Sequence, residues 1–137
     1  MPLALQAKPL NMKTKIIYWA TTSLFSLMML FSAYKYFTAP EMEAAFQYLG
    51  FPSYFRIELA VAKVLGVIAL LIPSIPIGFK QFAYAGFFIN LVSASIAHSS
   101  KGDPMQLVLT PLIFLVALVV SYVFYQKLHG QFRRVAL

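Results

Sequence analysis

The chain has 137 residues, of which 61% are hydrophobic and 11% are charged, whereas a typical soluble domain carries about 25% charged residues. A water-soluble fold of this length cannot bury so much apolar surface, so the composition predicts a single domain embedded in lipid. The net charge is +7, but the basic residues lie mainly before the first and after the last apolar stretch, which argues against nucleic-acid binding. The absence of cysteine excludes disulfides, thiol redox centres and thiolate metal ligands.

Four apolar stretches predict transmembrane helices, since a bilayer core of about 30 Å requires roughly 20 helical residues. They are Ile16–Tyr34, Ile57–Ile72, Phe82–Ala97 and Met105–Tyr125. The first exceeds the apolar core of a signal peptide, roughly 7–15 residues, so we interpret it as an uncleaved helix. Short connections favour antiparallel neighbours, and the predicted fold is therefore all-α, an integral membrane up-down-up-down four-helix bundle over residues 16–125. Residues 1–15 and the basic tail, residues 126–137, are predicted to lie outside the membrane.

The first connection, Lys35–Tyr54, is the longest and predicts a short interfacial helix between the first two membrane helices. Pro40 can open this helix, Glu41–Leu49, and Gly50 can end it. Its apolar residues recur at helical spacing, which predicts that one face lies at the membrane interface or caps the bundle. These residues are Met42, Ala45, Phe46 and Leu49. The later connections, Pro73–Gln81 and His98–Asp103, read as tight turns, and Pro111 predicts a kink or a late start of the last helix.

Lysine and arginine positions favour an orientation with both termini in the cytoplasm, because basic residues are retained on that side. Seven basic residues would then be cytoplasmic: Lys8, Lys13, Lys15, Lys80, Lys127, Arg133 and Arg134. The three on the opposite side are Lys35, Arg56 and Lys101.

Glu58 and Lys63 are ionisable residues within the second apolar stretch. Such residues cost about 2.5–3.5 kcal/mol each at the bilayer centre, so this helix is expected to need neighbours that receive its polar groups. The two residues lie about 140° apart around a helix. Ala62 and Gly66 form a step of small residues that permits close helix contact.

The third apolar stretch carries a narrow, partly polar stripe at helical spacing: Ala83, Gly86, Asn90, Ala94 and His98. In the chosen orientation, an intramembrane polar cluster is predicted toward the outer leaflet, with Asn90 near the midplane: Glu58, Lys63, Asn90, His98 and Asp103. Two principal interpretations stay open. Glu58 pairs with Lys63, Arg56 or Lys35 and only holds the helices in register, or the cluster forms a pocket for a ligand, an ion or a quinone. His98 is expected to form hydrogen bonds rather than to bind a metal or haem.

Two sequence motifs resemble the DoxX-like family of small bacterial four-helix membrane proteins. The residues Leu49–Pro52, followed by Glu58–Gly66, match its LGFP…K-LG pattern, and Ala83–Phe87 with His98–Asp103 match AYAGF and A-H-x-x-x-G-D. Lys63, His98, Gly102 and Asp103 fit this pattern, whereas Gln81 and Phe82 replace a usual Glu-Trp pair. The resemblance implies a four-helix fold in the bacterial inner membrane, and it implies a reaction less clearly than a fold.

No phosphate loop, nucleophile elbow or metalloprotease motif occurs, so the sequence favours a non-catalytic protein. The leading hypothesis is an accessory subunit or assembly factor for another membrane protein or a redox complex, with a homo-oligomer as an alternative partner. The resemblance also implies a quinone-linked oxidoreductase subunit, with Lys63, His98 and Asp103 binding the quinone head group. A third hypothesis is transport of a small solute or proton along Glu58, Asn90 and His98. No other cofactor and no metal is predicted.

Overall fold

The computed structural model describes residues 12–136, with side chains from residue 12 to residue 129. The described residues form five helices and no strand: α1 (Met12–Thr38), α2 (Pro40–Tyr48), α3 (Ser53–Leu71), α4 (Ile77–Ser100) and α5 (Met105–Ala136). Three of them are long and apolar enough to cross a membrane, over Met12–Thr38, Ile77–Ser100 and Met105–His129. The all-α prediction is therefore confirmed. Helix α3 has 19 residues but carries three charges, on Arg56, Glu58 and Lys63, and falls outside this set.

The four longer helices pack in a closed order, in which α1 and α4 each contact both α3 and α5. Their shared interior contains Phe25 of α1, Leu70 of α3, Phe87 of α4 and Leu118 of α5, each at most 4% exposed. Many large apolar side chains face outward instead, among them Leu24, Leu65, Phe82, Ile96 and Ile113. An outer surface of this kind is stable in hydrocarbon and not in water, so the protein is an integral membrane protein.

A buried polar contact between three of the helices was not predicted from the sequence. The Thr22 and Ser121 hydroxyls lie 2.5 Å apart, and the Tyr84 hydroxyl lies 2.7 Å from Ser121 Oγ. Because all three side chains are buried, these hydrogen bonds join α1, α4 and α5 across their apolar contact. Tyr18 and Tyr125 also belong to this buried region.

Helix α2 begins and ends where the sequence motifs place it. Pro40 starts it because the residue before a proline is pushed to extended backbone, and Ala39 has φ −89° and ψ 119°. At its end Gly50 adopts φ +92°, and the Phe51 N–H donates to the Phe46 carbonyl at 2.9 Å. This is a Schellman ending, in which the Phe46 and Phe51 rings also face each other at 6.0 Å. It turns the chain directly into α3.

The turn between α3 and α4 is shorter than Pro73–Gln81, since α3 ends at Leu71 and α4 begins at Ile77. Lys80 therefore lies in α4 and is only 5% exposed. Its Nζ donates to the carbonyls of Ala69 at 2.8 Å and Ile72 at 2.8 Å. The last carbonyls of a helix have no partner within the helix and carry partial negative charge, so Lys80 caps α3.

Replacing Lys80 with Met is expected to lower the free energy of unfolding by about 2 kcal/mol, since hydrogen bonds to charged groups contribute roughly 1.5–3 kcal/mol. Besides Lys80, the Ile72 carbonyl accepts only a longer hydrogen bond among the described residues, from the Ile75 N–H at 3.3 Å. Thermal unfolding of the purified protein in detergent measures the effect, with the exposed Lys15→Met as the matched control. Equal melting temperatures for the two variants would contradict the capping role.

Two other expectations change with the structure. Helix α5 begins at Met105, so Pro111 lies inside the helix, and the predicted late start is wrong. The described helix also continues to Ala136, so the basic tail is not separate from α5. The topology residues Lys8, Arg133 and Arg134 lie outside the residues whose side chains are described.

Candidate functional site

A partly open cavity of about 550 Å³ lies between α1, α3, α4 and α5 and beneath α2. The α2 residues that line it are Met42, Ala45, Phe46 and Leu49, which is the apolar face predicted from their spacing. The polar side chains on its wall are Ser32, Tyr36, Lys63, Asn90, Ser93, His98 and Thr110. Three residues of the predicted polar cluster, Lys63, Asn90 and His98, therefore line one cavity.

Lys63 is buried in the wall of this cavity, at 5% exposure. Its Nζ donates to Ser32 Oγ at 2.9 Å and to Tyr36 Oη at 3.1 Å, and it lies 4.2 Å from the centre of the Tyr36 ring. No carboxylate of the described residues pairs with it, since their only ion pair joins His98 and Asp103. An ammonium group has three N–H donors, so one of them remains for a ligand in the cavity.

Asn90 is half-buried and lines the same cavity from α4. Its amide forms no hydrogen bond with any described residue, although it can donate two hydrogen bonds and accept two. The amide is therefore available to hydrogen-bond a molecule in the cavity. Lys63 and Asn90 together therefore form a polar end of the cavity that suits a ligand with acceptor oxygens.

His98 and Asp103 form an ion-pair geometry that follows from the end of α4. Gly102 adopts φ +69°, and the Asp103 N–H donates to the His98 carbonyl at 3.1 Å, which is a second Schellman ending. This geometry brings Asp103 back over the last turn, where its Oδ2 lies 2.7 Å from His98 Nδ1. The A-H-x-x-x-G-D motif thus has a structural role as a helix end.

Asp103 also connects the α4–α5 turn to the helix that covers the cavity. The Tyr48 hydroxyl, at the end of α2, donates to Asp103 Oδ1 at 3.0 Å. The bond to Asp103 raises the pKa of Tyr48, so the phenol remains a donor. Both carboxylate oxygens are therefore occupied, and Asp103 fastens α2 over the cavity rather than pointing toward a ligand.

The hydrogen bond from His98, with a smaller contribution from Tyr48, lowers the pKa of Asp103 below 3.8. A lowered folded-state pKa stabilises the fold above the unfolded-state pKa of about 3.9, and that stabilisation is lost as the pH falls through the folded-state value. We expect wild type to melt above Asp103→Asn at pH 5 to 7, with the difference shrinking below about pH 4. Melting curves of both proteins across this range test it; a difference that stays constant down to pH 2 would contradict it.

A second, apolar space of about 340 Å³ runs between α3 and α4, and we call it the α3–α4 groove. Gly86 and Ala83 of the predicted small-residue stripe line it, facing Ala62 and Gly66 of α3. Three residues line both the groove and the cavity: Leu59, Lys63 and Asn90. The two spaces therefore share a stretch of wall that includes the polar end formed by Lys63 and Asn90.

Glu58 does not join the polar cluster. Its side chain is exposed on the outer face of α3, lines neither space and forms no hydrogen bond or ion pair with a described residue. The predicted pairing with Lys63, Arg56 or Lys35 is wrong because residues 58 and 63 point about 140° apart, so that Glu58 faces outward when Lys63 faces inward. Among the described side chains, no three His, Asp or Glu residues converge to hold a metal ion.

The sequence profile of the DoxX-like family matches residues 20–121, which is most of the chain. The chain belongs to the DoxX-like family. No curated protein and no solved structure matches it significantly. In this DoxX-like protein the two motifs that resemble the family lie in different parts of the fold. The Lys63 region faces the cavity, whereas the His98–Asp103 region ends α4 and holds α2.

Ser32 and Tyr36 were not identified from the sequence, although they are the hydrogen-bond acceptors of Lys63. They are four residues apart on α1 and therefore lie on one helix face, which is the only signal that could have linked them. That signal does not say which helix this face meets.

Proposed function

We propose that this DoxX-like protein is a non-catalytic membrane subunit that binds a lipid-soluble, carbonyl-bearing molecule of the quinone class in its internal cavity. The observation that carries the proposal is the pairing of Lys63, buried without a carboxylate, with the unpartnered amide of Asn90. Ligand pockets combine mostly apolar walls with a few polar groups of this kind, in volumes of about 300–1,000 Å³. The cavity volume of about 550 Å³ falls in that range.

The quinone head group is proposed to lie at the Lys63–Asn90 end rather than at His98. Asn90 and His98 are eight residues apart on α4, about 12 Å along the helix axis. His98 Nδ1 is already engaged by Asp103, whose bound carboxylate requires the proton on that nitrogen. Nε2 of His98 has no hydrogen-bond partner among the described residues, and it can contact a ligand only at the other end of the cavity.

Binding of tail-free ubiquinone, the dimethoxy-methyl-benzoquinone ring alone, tests this proposal. In isothermal titration calorimetry we expect the wild type to bind it and Asn90→Leu to bind it roughly fivefold more weakly, because a net hydrogen bond contributes about 1 kcal/mol. Ile89→Leu, at an exposed neighbour on the same helix, is the matched control. Absence of binding to the wild type, or equal binding by all three proteins, would rule out the site.

The subunit role has a separate support in Glu58. Glu58 lies about 8 Å along α3 from Ser53, beside the exposed Ile57 and Val61. Its exposed carboxylate is unfavourable in lipid unless another group pairs with it. A basic or hydrogen-bond-donating residue on a helix of a partner membrane protein would do so. A photo-crosslinker at Val61 should therefore capture a discrete partner in native membranes, and Glu58→Gln should reduce this. Crosslinks to a second copy of the chain would instead indicate a homo-oligomer.

We further propose that α1, α3, α4 and α5 all span the bacterial inner membrane, up and down, with both termini in the cytoplasm. The basic residues near the first and last helices support this orientation. Because the chain has no cysteine, single-cysteine variants report it directly. Lys101→Cys should react with a membrane-impermeant maleimide added outside intact cells and Lys127→Cys should not; the reverse result would invert the orientation.

A further inference from the structure

The α3–α4 groove opens toward the lipid along most of its length. Ala62 and Leu65 on α3 and Phe82 and Gly86 on α4 line it and are all exposed on the outer surface. Of the four neighbouring pairs among the longer helices, α3 and α4 make the least extensive contact. The groove is thus a lateral opening between the two longer helices that contact each other least.

The inner end of this opening is polar, whereas the rest is not. Lys63 and Asn90 are the only residues lining the groove that carry a hydrogen-bonding side chain, and both also line the cavity. A molecule that extends from the cavity past Lys63 and Asn90 into the groove would meet hydrogen-bond donors at one end and only apolar side chains at the other. This order of polar and then apolar surroundings suits an amphiphile with a compact polar head and a long apolar tail.

We propose that the α3–α4 groove holds the tail of the ligand whose head occupies the cavity, so that the ligand class is a long-tailed quinone that passes sideways from the bilayer. This inference rests on the proposed function and names its substrate more closely. Gly86 is the key groove position, because a Cβ added there has no atom within 4 Å. A leucine at position 86 therefore has room for its Cβ and adds side-chain volume to the space that the tail requires.

The test compares tail-free ubiquinone with decylubiquinone, which has the same head group, in nanodiscs of one lipid composition. Because partition into lipid is the same for every variant, a change between variants in the ratio of the two dissociation constants isolates the contribution of tail contacts with the protein. We expect the wild type to prefer decylubiquinone roughly fivefold beyond its partition into protein-free nanodiscs, which corresponds to about 1 kcal/mol of tail contact. Gly86→Leu should lose most of this preference and keep its affinity for tail-free ubiquinone within about twofold.

Ala20→Leu is the matched control, because it places the same added side chain on an exposed position of α1, outside the groove. It should keep the wild-type preference. A preference that Gly86→Leu leaves unchanged would mean that bilayer lipid fills the groove, and it would overturn the inference while leaving the head-group site intact. If the wild type binds neither quinone, the proposed function fails and the tail site with it.

Discussion

Lys63→Met is expected to weaken binding of tail-free ubiquinone at least tenfold while leaving the melting temperature unchanged or higher. The loss follows because a hydrogen bond from a charged donor contributes roughly 1.5–3 kcal/mol. The stability does not fall because an ion buried without a counter-ion is costly, and an apolar side chain of similar shape removes that cost. Its two acceptors are hydroxyl groups, Ser32 and Tyr36, which can rotate toward other partners.

Replacing Lys80 with Met is expected to lower the stability, whereas replacing Lys63 with Met is not. The two variants therefore serve as controls for each other. Both lysines are 5% exposed, but Lys80 donates to the terminal carbonyls of α3, which cannot turn away. Thermal unfolding and calorimetry on Lys63→Met, Lys80→Met and Lys15→Met separate a binding lysine from a structural one. If Lys63→Met destabilises the protein as much as Lys80→Met does, Lys63 is structural and the proposed site loses its main support.

Gly66→Leu is expected to disrupt the packing of α3 on α4. A Cβ at position 66 would lie 2.7 Å from the Cε2 and Cζ atoms of Phe87. The Phe87 ring has little room to retreat, because it is 4% exposed and packs edge-on against Phe25 at 5.0 Å. Overpacking of a filled core costs typically 1–3 kcal/mol, so we expect Gly66→Ala to lower the free energy of unfolding by about 2 kcal/mol and Gly66→Leu by more.

The matched control is Gly86→Ala, which lies on the facing helix with open space around its added Cβ. Replacing glycine by alanine within a helix contributes up to about 1 kcal/mol, so this variant should be as stable as the wild type or slightly more so. A double variant, Gly66→Ala with Phe87→Leu, should recover part of the loss because the clashing ring is gone. Equal destabilisation at positions 66 and 86 would show that the Phe87 contact is not the cause.

The helices and the faces of α2 and α4 could be predicted from the sequence because their signals are local. The spacing of Met42, Ala45, Phe46 and Leu49 defines one helix face whatever that face covers. The small residues from Ala83 to His98 define another in the same way. In the structure the first face lines the cavity, and the residues of the second line the cavity and the groove.

The partners of the charged residues could not be predicted because they depend on packing between distant segments. Lys63 bonds to residues 27 and 31 positions earlier in the chain. Glu58 was placed in the cluster by its depth in the membrane, although its position about 140° around the helix from Lys63 already indicated a different direction. His98–Asp103 was interpreted as a loop, although Gly102 at its fifth position is a typical sign of a helix ending.

The capping of α3 by Lys80 has a consequence for experiments on how the protein inserts. Removing a positive charge from a short loop is the standard means of asking which way a membrane protein faces. At Lys80 that change would also remove the cap of α3. A lower yield of the expected orientation would then not distinguish a changed orientation from degradation of a misassembled α3–α4 hairpin. Lys15 is a better position for such a test, because its side chain is exposed.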